Sequence, residues 1–233
     1  MPRSISFWRD HPCEETRAKA AAGEMDGGAK LVEQLRERGI HDPAVLSAMR
    51  EVPRAEFVSA AMADAAYLDI ALPIACGQTI SQPFVVSYMS EKLAPARDHD
   101  VLEIGTGSGY QAAILARLCR HVYTIERHQT LFEEARARLA RLGIANVSVL
   151  CADGTLGWPE PRLFDRIIVT AAARELPEAL LGQLGEGGRM ILPLGRRSAL
   201  QRLVVIDKTP DGLVRQDLLP VRFVPLLSDK SEK

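Results

Sequence analysis

Short apolar runs alternate with amphipathic stretches along the second half of the chain, which predicts a sheet with helices packed on its faces. Runs rich in Val, Ile and Leu between turn residues are typical of buried strands, and apolar residues every three or four positions are typical of helices. An alternation of this kind predicts an α/β fold with a doubly wound, mostly parallel sheet. The predicted elements are strand 101–104, helix 109–119, strand 121–125, helix 129–141, strand 147–151, strand 165–170, helix 177–184 and strand 188–193.

The last two apolar runs predict an antiparallel end to this sheet. Residues 200–207 and 213–224 are separated by Thr209-Pro210-Asp211-Gly212, a composition typical of a hairpin turn. The expected sheet therefore has seven strands and differs from an all-parallel Rossmann sheet in its C-terminal strands.

The first part of the chain predicts helices, added on the N-terminal side of the sheet. Their bounds follow from apolar spacing, from Pro at a first helical position and from glycine or proline stops. The predicted helices are 29–38, one beginning at Pro43 with Asp42 as N-cap, a short one over 54–63 and one beginning at Pro83.

A glycine-rich turn follows the first predicted strand of the sheet. Its spacing is Glu103-x-Gly105-x-Gly107-x-Gly109, and Tyr110 stands where a dinucleotide fingerprint has its last glycine. Glycines let the backbone turn sharply and approach a ligand closely. An acid at Glu103 disfavours a pyrophosphate and favours a cation, so the loop points to S-adenosylmethionine, which carries a sulfonium and an ammonium group.

Three further strand ends carry groups that suit an adenosine ligand. Glu126 can accept both ribose hydroxyls, Asp153-Gly154 can meet the adenine amine, and the small residues 170–173 leave room. Taken singly, Asp153 is also typical of a turn residue, and Glu126 of an exposed strand end or a helix cap. Together, at consecutive strand ends, they favour binding of an adenosine-type cofactor.

The segment 71–84 holds the candidate acceptor site. Thr79 and Ser81 carry hydroxyls two residues apart, between Gly77 and Pro83. The segment precedes a helix N-terminus, where free backbone amides attract an anion such as a carboxylate. The alternative is that Ser81 only caps the helix that begins at Pro83.

Eight motifs of the chain resemble those of one known family, over about residues 29–227. Its glycine loop is shared by many methyltransferases, whereas Gly77–Pro83 is specific to it. The motifs are Val52–Val58, Ala71–Ile74, Gly77–Pro83, Val101–Gln111, Asp153–Gly157, Phe164–Ala173, Gly187–Pro193 and Val221–Pro225. The family is that of the protein-L-isoaspartate (D-aspartate) O-methyltransferases.

This resemblance implies a repair enzyme with a Rossmann-like class I methyltransferase fold. Such an enzyme uses S-adenosylmethionine to methylate the free α-carboxylate of isoaspartyl residues in damaged proteins and peptides, and the ester closes to a succinimide. Carried over, Ser81 lies beside the accepting carboxylate, and Thr79 and Ser81 shape its pocket. The implied donor-binding residues are Glu103, Gly105, Thr106, Gly107, Glu126, Asp153 and Gly154.

We expect one methyltransferase domain over residues 29–233, preceded by an N-terminal extension, 1–28, that ends at a Gly27-Gly28 break. Within the domain, residues 29–95 would form the helical substrate-side region and 96–227 the S-adenosylmethionine-binding sheet core. The protein is predicted to be a monomer.

The net charge and the spacing of the cysteines limit the partners and ligands that we expect this chain to bind. A formal charge of −1 gives no electrostatic footprint for nucleic acid or an anionic membrane. The four cysteines are scattered without metal-ligand spacing, and no apolar run is long enough to cross a bilayer. We therefore expect a cytoplasmic protein that binds no metal, with its histidines, His128 among them, at the surface.

A carboxylate acceptor is already ionised at neutral pH, so the reaction needs no general base. No Ser-His pairing is visible, and Ser81 is therefore interpreted as an orienting hydrogen-bond donor rather than a nucleophile. Three alternatives stay open at this point: a methyltransferase of this fold with a small-molecule acceptor, a nicotinamide oxidoreductase, and a non-catalytic binding protein.

Overall fold

A computed structural model describes residues 27–196 and 200–228. The strands are β1 (Leu72–Pro73), β2 (Thr79–Ile80), β3 (Asp100–Ile104), β4 (His121–Glu126), β5 (Val147–Cys151), β6 (Phe164–Val169), β7 (Leu184–Leu194), β8 (Gln201–Thr209) and β9 (Gly212–Val221). The helices are α1 (27–37), α2 (Pro43–Glu51), α3 (Pro83–Leu93), α4 (Tyr110–Ala116), α5 (Gln129–Arg141) and α6 (Glu178–Gly182).

The main sheet has the strand order β5-β4-β3-β6-β7-β8-β9. Strands β3 to β7 pair in parallel, whereas β8 is antiparallel to both β7 and β9. The predicted doubly wound sheet with an antiparallel C-terminal pair is therefore confirmed. Because the strand order reverses at β3, between β4 and β6, the carboxyl ends of these strands border the crevice where such sheets bind ligands.

The central strands are apolar because helices and loops cover both of their faces. In β3, Val101, Leu102 and Ile104 are buried, and the adjacent β6 buries Ile167, Ile168 and Val169. Every residue of α4 is buried as well. A helix enclosed on all sides has a fixed position, so the turn that precedes it at the end of β3 is held at both ends.

The first helix begins earlier than the sequence predicted. Residues 27 and 28, assigned to the extension as a break, lie in α1, while residues 1–26 lie outside the described residues. Gly27 packs against an aromatic ring, and a Cβ there would lie 2.9 Å from Cδ2 of Tyr67. Gly27 therefore permits a close contact between α1 and the Tyr67 ring, and it does not act as the chain break that the sequence suggested.

The single helix predicted over 54–63 is wrong. Two 3₁₀ helices, Arg54–Phe57 and Ala60–Ala65, occupy this part of the chain. Val58 between them has an extended backbone, with φ −119° and ψ 166°, which interrupts the helical hydrogen bonding. The other predicted helices of this region are present, and the Asp42 carboxylate caps α2 by accepting from Ala44 N and Val45 N.

A small hairpin that the sequence did not predict carries the candidate acceptor residues. β1 and β2 pair antiparallel, with Leu72 opposite Ile80. The connecting turn includes Cys76 and Gly77, both with positive φ. This hairpin places Thr79 on β2 and Ser81 directly after it, next to the carboxyl edge of the main sheet.

The N-terminus of α3 is capped by Asp69, which lies in the loop before β1, 15 residues before Phe84. Asp69 Oδ1 accepts from Phe84 N at 2.8 Å, and the Gln82 amide donates to Asp69 Oδ2 at 3.0 Å. Arg38 forms an ion pair with the same carboxylate. The N-cap residue is Gln82, and no side chain of the cap itself accepts a hydrogen bond, so the alternative that Ser81 caps this helix is wrong.

Asp69→Ala is expected to lower the free energy of unfolding by about 1–2 kcal/mol, because it removes the carboxylate that caps α3. Urea denaturation followed by circular dichroism measures the change. Asp64→Ala is the matched control, since Asp64 is an exposed acid of the same region. Equal stability of the two variants would contradict the capping role of Asp69.

Candidate functional site

Two adjoining cavities open at the carboxyl edge of the sheet. The first, here called the glycine-loop cavity, has a volume of about 110 Å³ and is bordered by the turn after β3, the end of β4 and residues 224–227. The second, the outer cavity, has a volume of about 740 Å³ and extends toward Arg38 and Phe84 on one side and residues 219–224 on the other. Thr79, Ser81, Thr170 and Val224 line both cavities.

The glycine turn is fixed between the ends of β4 and β6. Gly105 N and Thr106 N both donate to Ile125 O, at 2.9 and 3.3 Å. On the other side, the Thr170 hydroxyl donates to the carbonyls of Ile104 and Gly105, at 2.9 and 2.7 Å. Gly105 has a φ of +95°, and a Cβ there would overlap the Thr170 hydroxyl. The loop can therefore keep this position only with glycine.

Glu126 lies at the end of β4 and lines the glycine-loop cavity, where the sequence placed it. Its Oε2 accepts from Gly107 N at 2.8 Å and its Oε1 from His128 N at 3.0 Å. Each carboxylate oxygen has a second lone pair available, so the group can still accept hydrogen bonds from the two hydroxyls of a ribose. Gly105, Thr106 and Gly107 line the same cavity.

Glu103 lies beneath the loop, not among the residues that line the two cavities. It is fully buried, and the Thr124 hydroxyl donates to its Oε2 at 2.5 Å. Thr124 in turn forms a hydrogen bond with the Thr106 hydroxyl at 2.6 Å. Oε1 has no hydrogen-bond partner within the described chain. Glu103 thus reaches the cavity through Thr124 and Thr106, and its direct binding of a ligand stays a prediction.

The pKa of Glu103 is raised to about 8, mainly by burial; the Thr124 hydrogen bond opposes this rise and the nearby Glu126 adds to it. At neutral pH the buried carboxyl is therefore mostly protonated. This environment favours a neutral Glu103, whereas the sequence interpretation assigned it a negative charge at the loop. The acid that faces the cavity is Glu126.

Asp153 and Gly154 follow β5 but do not line either cavity. Asp153 Oδ1 accepts from Thr155 N at 2.9 Å and from the Thr155 hydroxyl at 2.7 Å, which caps the 3₁₀ helix Gly154–Leu156. Gly154 packs against the end of β3, where a Cβ would lie 2.6 Å from Ile104 Cγ2. These contacts agree with the turn-residue alternative for Asp153, and its contact with adenine stays a prediction.

Thr79 and Ser81 stand at the boundary of the two cavities. Within the described chain neither hydroxyl forms a side-chain hydrogen bond, so both can bind a ligand. Of the first backbone amides of α3, Pro83 has no N–H and Phe84 N already donates to Asp69. The expected anion site at this N-terminus therefore has fewer free amides than the sequence suggested, and it stays a prediction.

Sequence analysis missed two parts of the glycine-loop cavity. His128, expected at the surface, lines the cavity because its backbone N–H bonds to Glu126. Residues 224–227 also line it, since the chain leaves β9 and crosses the end of β6. Ala172 N donates to Val224 O and Leu226 N donates to Ala172 O, both at 2.8 Å. The family-like motif ending at Pro225 was the signal for this crossing.

The described residues contain neither a metal-binding cluster nor a membrane-spanning helix. No group of three or more metal-ligating side chains comes together in ranges 27–196 and 200–228. Over the same ranges, none of the helices has the length and apolarity that spanning a bilayer requires.

Glu103→Gln is expected to change how stability depends on pH. The native carboxyl, with a pKa of about 8, binds its proton more tightly than an unfolded one near 4.5, so the free energy of unfolding should fall as pH rises between these values. The loss should amount to several kcal/mol. Glutamine cannot ionise and should remove this slope.

Urea denaturation at pH 5, 6.5 and 8 measures the slope for the wild type and for Glu103→Gln. Glu160→Gln is the control, because Glu160 is exposed. Parallel pH profiles for all three proteins would contradict the raised pKa of Glu103.

Comparison with known proteins gives the family. The family model described as Protein-L-isoaspartate(D-aspartate) O-methyltransferase matches residues 27–231. A protein-L-isoaspartate O-methyltransferase of Parvibaculum lavamentivorans is 56% identical over 209 residues, which cover 87% of this chain and 94% of that protein. One from Rhodospirillum rubrum is 54% identical over 200 residues, covering 85% and 91%.

A solved structure agrees with both relatives. It is a Plasmodium falciparum protein assigned to the same family, crystallised in complex with S-adenosyl-L-homocysteine. Its TM-score with this chain is 0.76 at 28% identity, over 86% of this chain and 98% of that chain. By the match of the family model and the identity to these relatives, the chain belongs to the protein-L-isoaspartate (D-aspartate) O-methyltransferase family.

Proposed function

We propose that this chain transfers a methyl group from S-adenosylmethionine to the free α-carboxylate of isoaspartyl residues in damaged proteins and peptides. The donor would occupy the glycine-loop cavity and the damaged residue the outer cavity. The observation that carries this proposal is the pair of unbonded hydroxyls, on Thr79 and Ser81, at the boundary between the two cavities.

The residues around the glycine-loop cavity suit S-adenosylmethionine. The left-handed backbone at Gly105 and Gly107 brings main-chain atoms close to the cavity, and Glu126 can accept from the ribose hydroxyls. The product S-adenosyl-L-homocysteine is bound in the Plasmodium falciparum relative. When bound, S-adenosylmethionine supplies a methyl group on a sulfonium, which is an activated leaving group. The side chains therefore need only to bind and orient the reactants.

On the acceptor side, the carboxylate oxygen is the nucleophile and is ionised at neutral pH. The hydroxyls of Ser81 and Thr79 can donate to this carboxylate and hold one oxygen toward the glycine-loop cavity. In the part of the chain that is described, no histidine or carboxylate bonds to the Ser81 hydroxyl, as activation of a serine nucleophile would require. These contacts support Ser81 as an orienting donor.

Positioning is the main contribution expected of the protein. Holding two reactants at near-attack distance can lower a barrier by about 7–11 kcal/mol. Residues 224–227 cover the glycine-loop cavity and would limit the access of water to the donor. The methoxy group of the ester that forms leaves far more readily than the oxide of a carboxylate. The backbone nitrogen of the following residue can therefore bond to the ester carbonyl carbon, close a succinimide and release methanol, which takes up the amide proton. Hydrolysis of that ring returns part of the chain to normal aspartate.

The remaining assignments form part of the same proposal. Residues 29–95 would be the substrate side, because they supply Thr79 and Ser81, and 96–227 the donor side, because they supply the glycine loop and Glu126. The acceptor would be a residue of a polypeptide instead of a small molecule, which the similarity to protein-L-isoaspartate O-methyltransferases supports. The protein would act as a cytoplasmic monomer.

Ser81→Ala is expected to lower kcat for an isoaspartyl peptide on the order of 10- to 100-fold, because an unoriented carboxylate rarely reaches the methyl group. The affinity for S-adenosylhomocysteine should be unchanged. A labelled-donor assay measures turnover and calorimetry measures affinity.

The normal aspartyl form of the same peptide controls for substrate specificity. Ser59→Ala controls for the substitution, because Ser59 is exposed and lines neither cavity. Wild-type turnover of Ser81→Ala would refute the role of Ser81, and equal methylation of both peptides would refute the proposed substrate.

Gly105→Ala is expected to weaken S-adenosylhomocysteine binding by at least about 10-fold. The new Cβ would meet the Thr170 hydroxyl and the residue would keep an unfavourable positive φ, so the loop must move. Gly143→Ala is the matched control, because its φ is +67° and nothing lies within 4 Å of a Cβ there. Calorimetry showing the same affinity for both variants would contradict the pinned loop.

A further inference from the structure

Arg54 is a fully buried arginine close to the backbone of Ser81. Its guanidinium donates to three backbone carbonyls from separate parts of the chain. Nε donates to Ala66 O at 2.8 Å, and Nη2 donates to Ile70 O at 3.3 Å and to Ser81 O at 2.9 Å. A buried cation is costly unless such hydrogen bonds compensate it, so these contacts hold the three carbonyls in place.

These contacts fix the backbone at Ser81 and just after it. Arg54 binds the Ser81 carbonyl directly. By holding Ala66 O and Ile70 O it also shapes the loop that carries Asp69. Asp69 then accepts from Gln82 and from Phe84 N, immediately after Ser81. The position of Ser81 therefore depends on Arg54 by one direct contact and one indirect route.

The same guanidinium contacts the helix that follows the glycine loop. Its Cζ lies 4.9 Å from the ring centroid of Tyr110, the first residue of α4. The ring of Phe57, from the same 3₁₀ helix as Arg54, packs edge-on against Tyr110 at 5.3 Å. Arg54 thus stands between the backbone of the acceptor hydroxyl and the helix that anchors the donor loop.

We propose that Arg54 is a positioning residue for methyl transfer, which sets the place of the Ser81 hydroxyl relative to the glycine loop. This inference rests on the proposed role of Ser81. Arg54 lines neither cavity: it acts through the Ser81 carbonyl, the loop 66–70 and the Tyr110 ring. Its loss should therefore slow the transfer step more than it weakens donor binding.

The test is a double-mutant cycle with Arg54→Lys, Ser81→Ala and the combined variant. Lysine carries its donors on a single nitrogen, which cannot take the places of both Nε and Nη2, so the variant can fold while the backbone loses part of its anchor. Arg166→Lys is the matched control, because Arg166 also donates to carbonyls, those of Ala94 and Asp165, near the start of β6. kcat and KM for an isoaspartyl peptide and the Kd for S-adenosylhomocysteine are measured for each.

Arg54→Lys is expected to lower kcat by about 10-fold, with the Kd changed by less than about twofold, and Arg166→Lys to leave both unchanged. In the Ser81→Ala background, Arg54→Lys should cause little further loss, because the two residues act through one hydroxyl. Multiplicative losses in the double variant would overturn the inference, as would a loss of donor affinity as large as the loss of kcat.

Two results distinguish a failure of the role of Arg54 from a failure of the proposed role of Ser81. Wild-type kcat for Arg54→Lys beside a slow Ser81→Ala would overturn the role of Arg54 alone. Wild-type kcat for Ser81→Ala would overturn the role of Ser81 and this inference with it.

Discussion

The contact on which the rest of the site depends is the pinning of the glycine turn after β3. Gly105 N donates to Ile125 O on one side, while the Thr170 hydroxyl donates to Gly105 O on the other. Three neighbouring strand ends thus meet at one residue, and only glycine provides the space and the positive φ. Once this turn is placed, Gly107 N faces Glu126, and α4 begins inside the core. The donor cavity follows from backbone geometry, with few side chains of its own.

The segment between Phe57 and Pro83 is organised in a different way. It has no long strand or helix to set its shape, only the 3₁₀ helix Ala60–Ala65, the 3₁₀ turn Ala75–Gly77 and a hairpin of two two-residue strands. Buried polar contacts take the place of regular hydrogen bonding there. Arg54 donates hydrogen bonds to carbonyls of this segment, and Asp69 bonds the segment to the N-terminus of α3. This segment presents the hydroxyls of Thr79 and Ser81 at the boundary of the two cavities.

This contrast explains what the sequence could predict. The bounds of α5 and β5 agree with the structure because their apolar periodicity is strong and their ends carry turn residues. The two 3₁₀ helices and the hairpin have no such periodicity, and the cap of α3 comes from 15 residues away. The carboxyl ends of β3 to β7 were predicted to within one residue, whereas β7 begins earlier and β9 ends earlier than predicted, and side-chain direction was not predicted. Successive residues of a strand point to opposite faces, so ending near the crevice did not make Glu103 line it.

The acids around the glycine loop show why that direction matters for the chemistry. Glu126 lies close enough to Glu103 that its charge raises the pKa of Glu103. Two ionised carboxylates so close together would repel each other in a buried setting, and burial keeps the inner one, Glu103, protonated. The outer acid, Glu126, is held by two backbone N–H groups and keeps its remaining lone pairs for a ligand. The inner carboxyl then serves the loop, by fixing Thr124 and through it Thr106, while the outer one lines the cavity in which we propose that the cofactor binds.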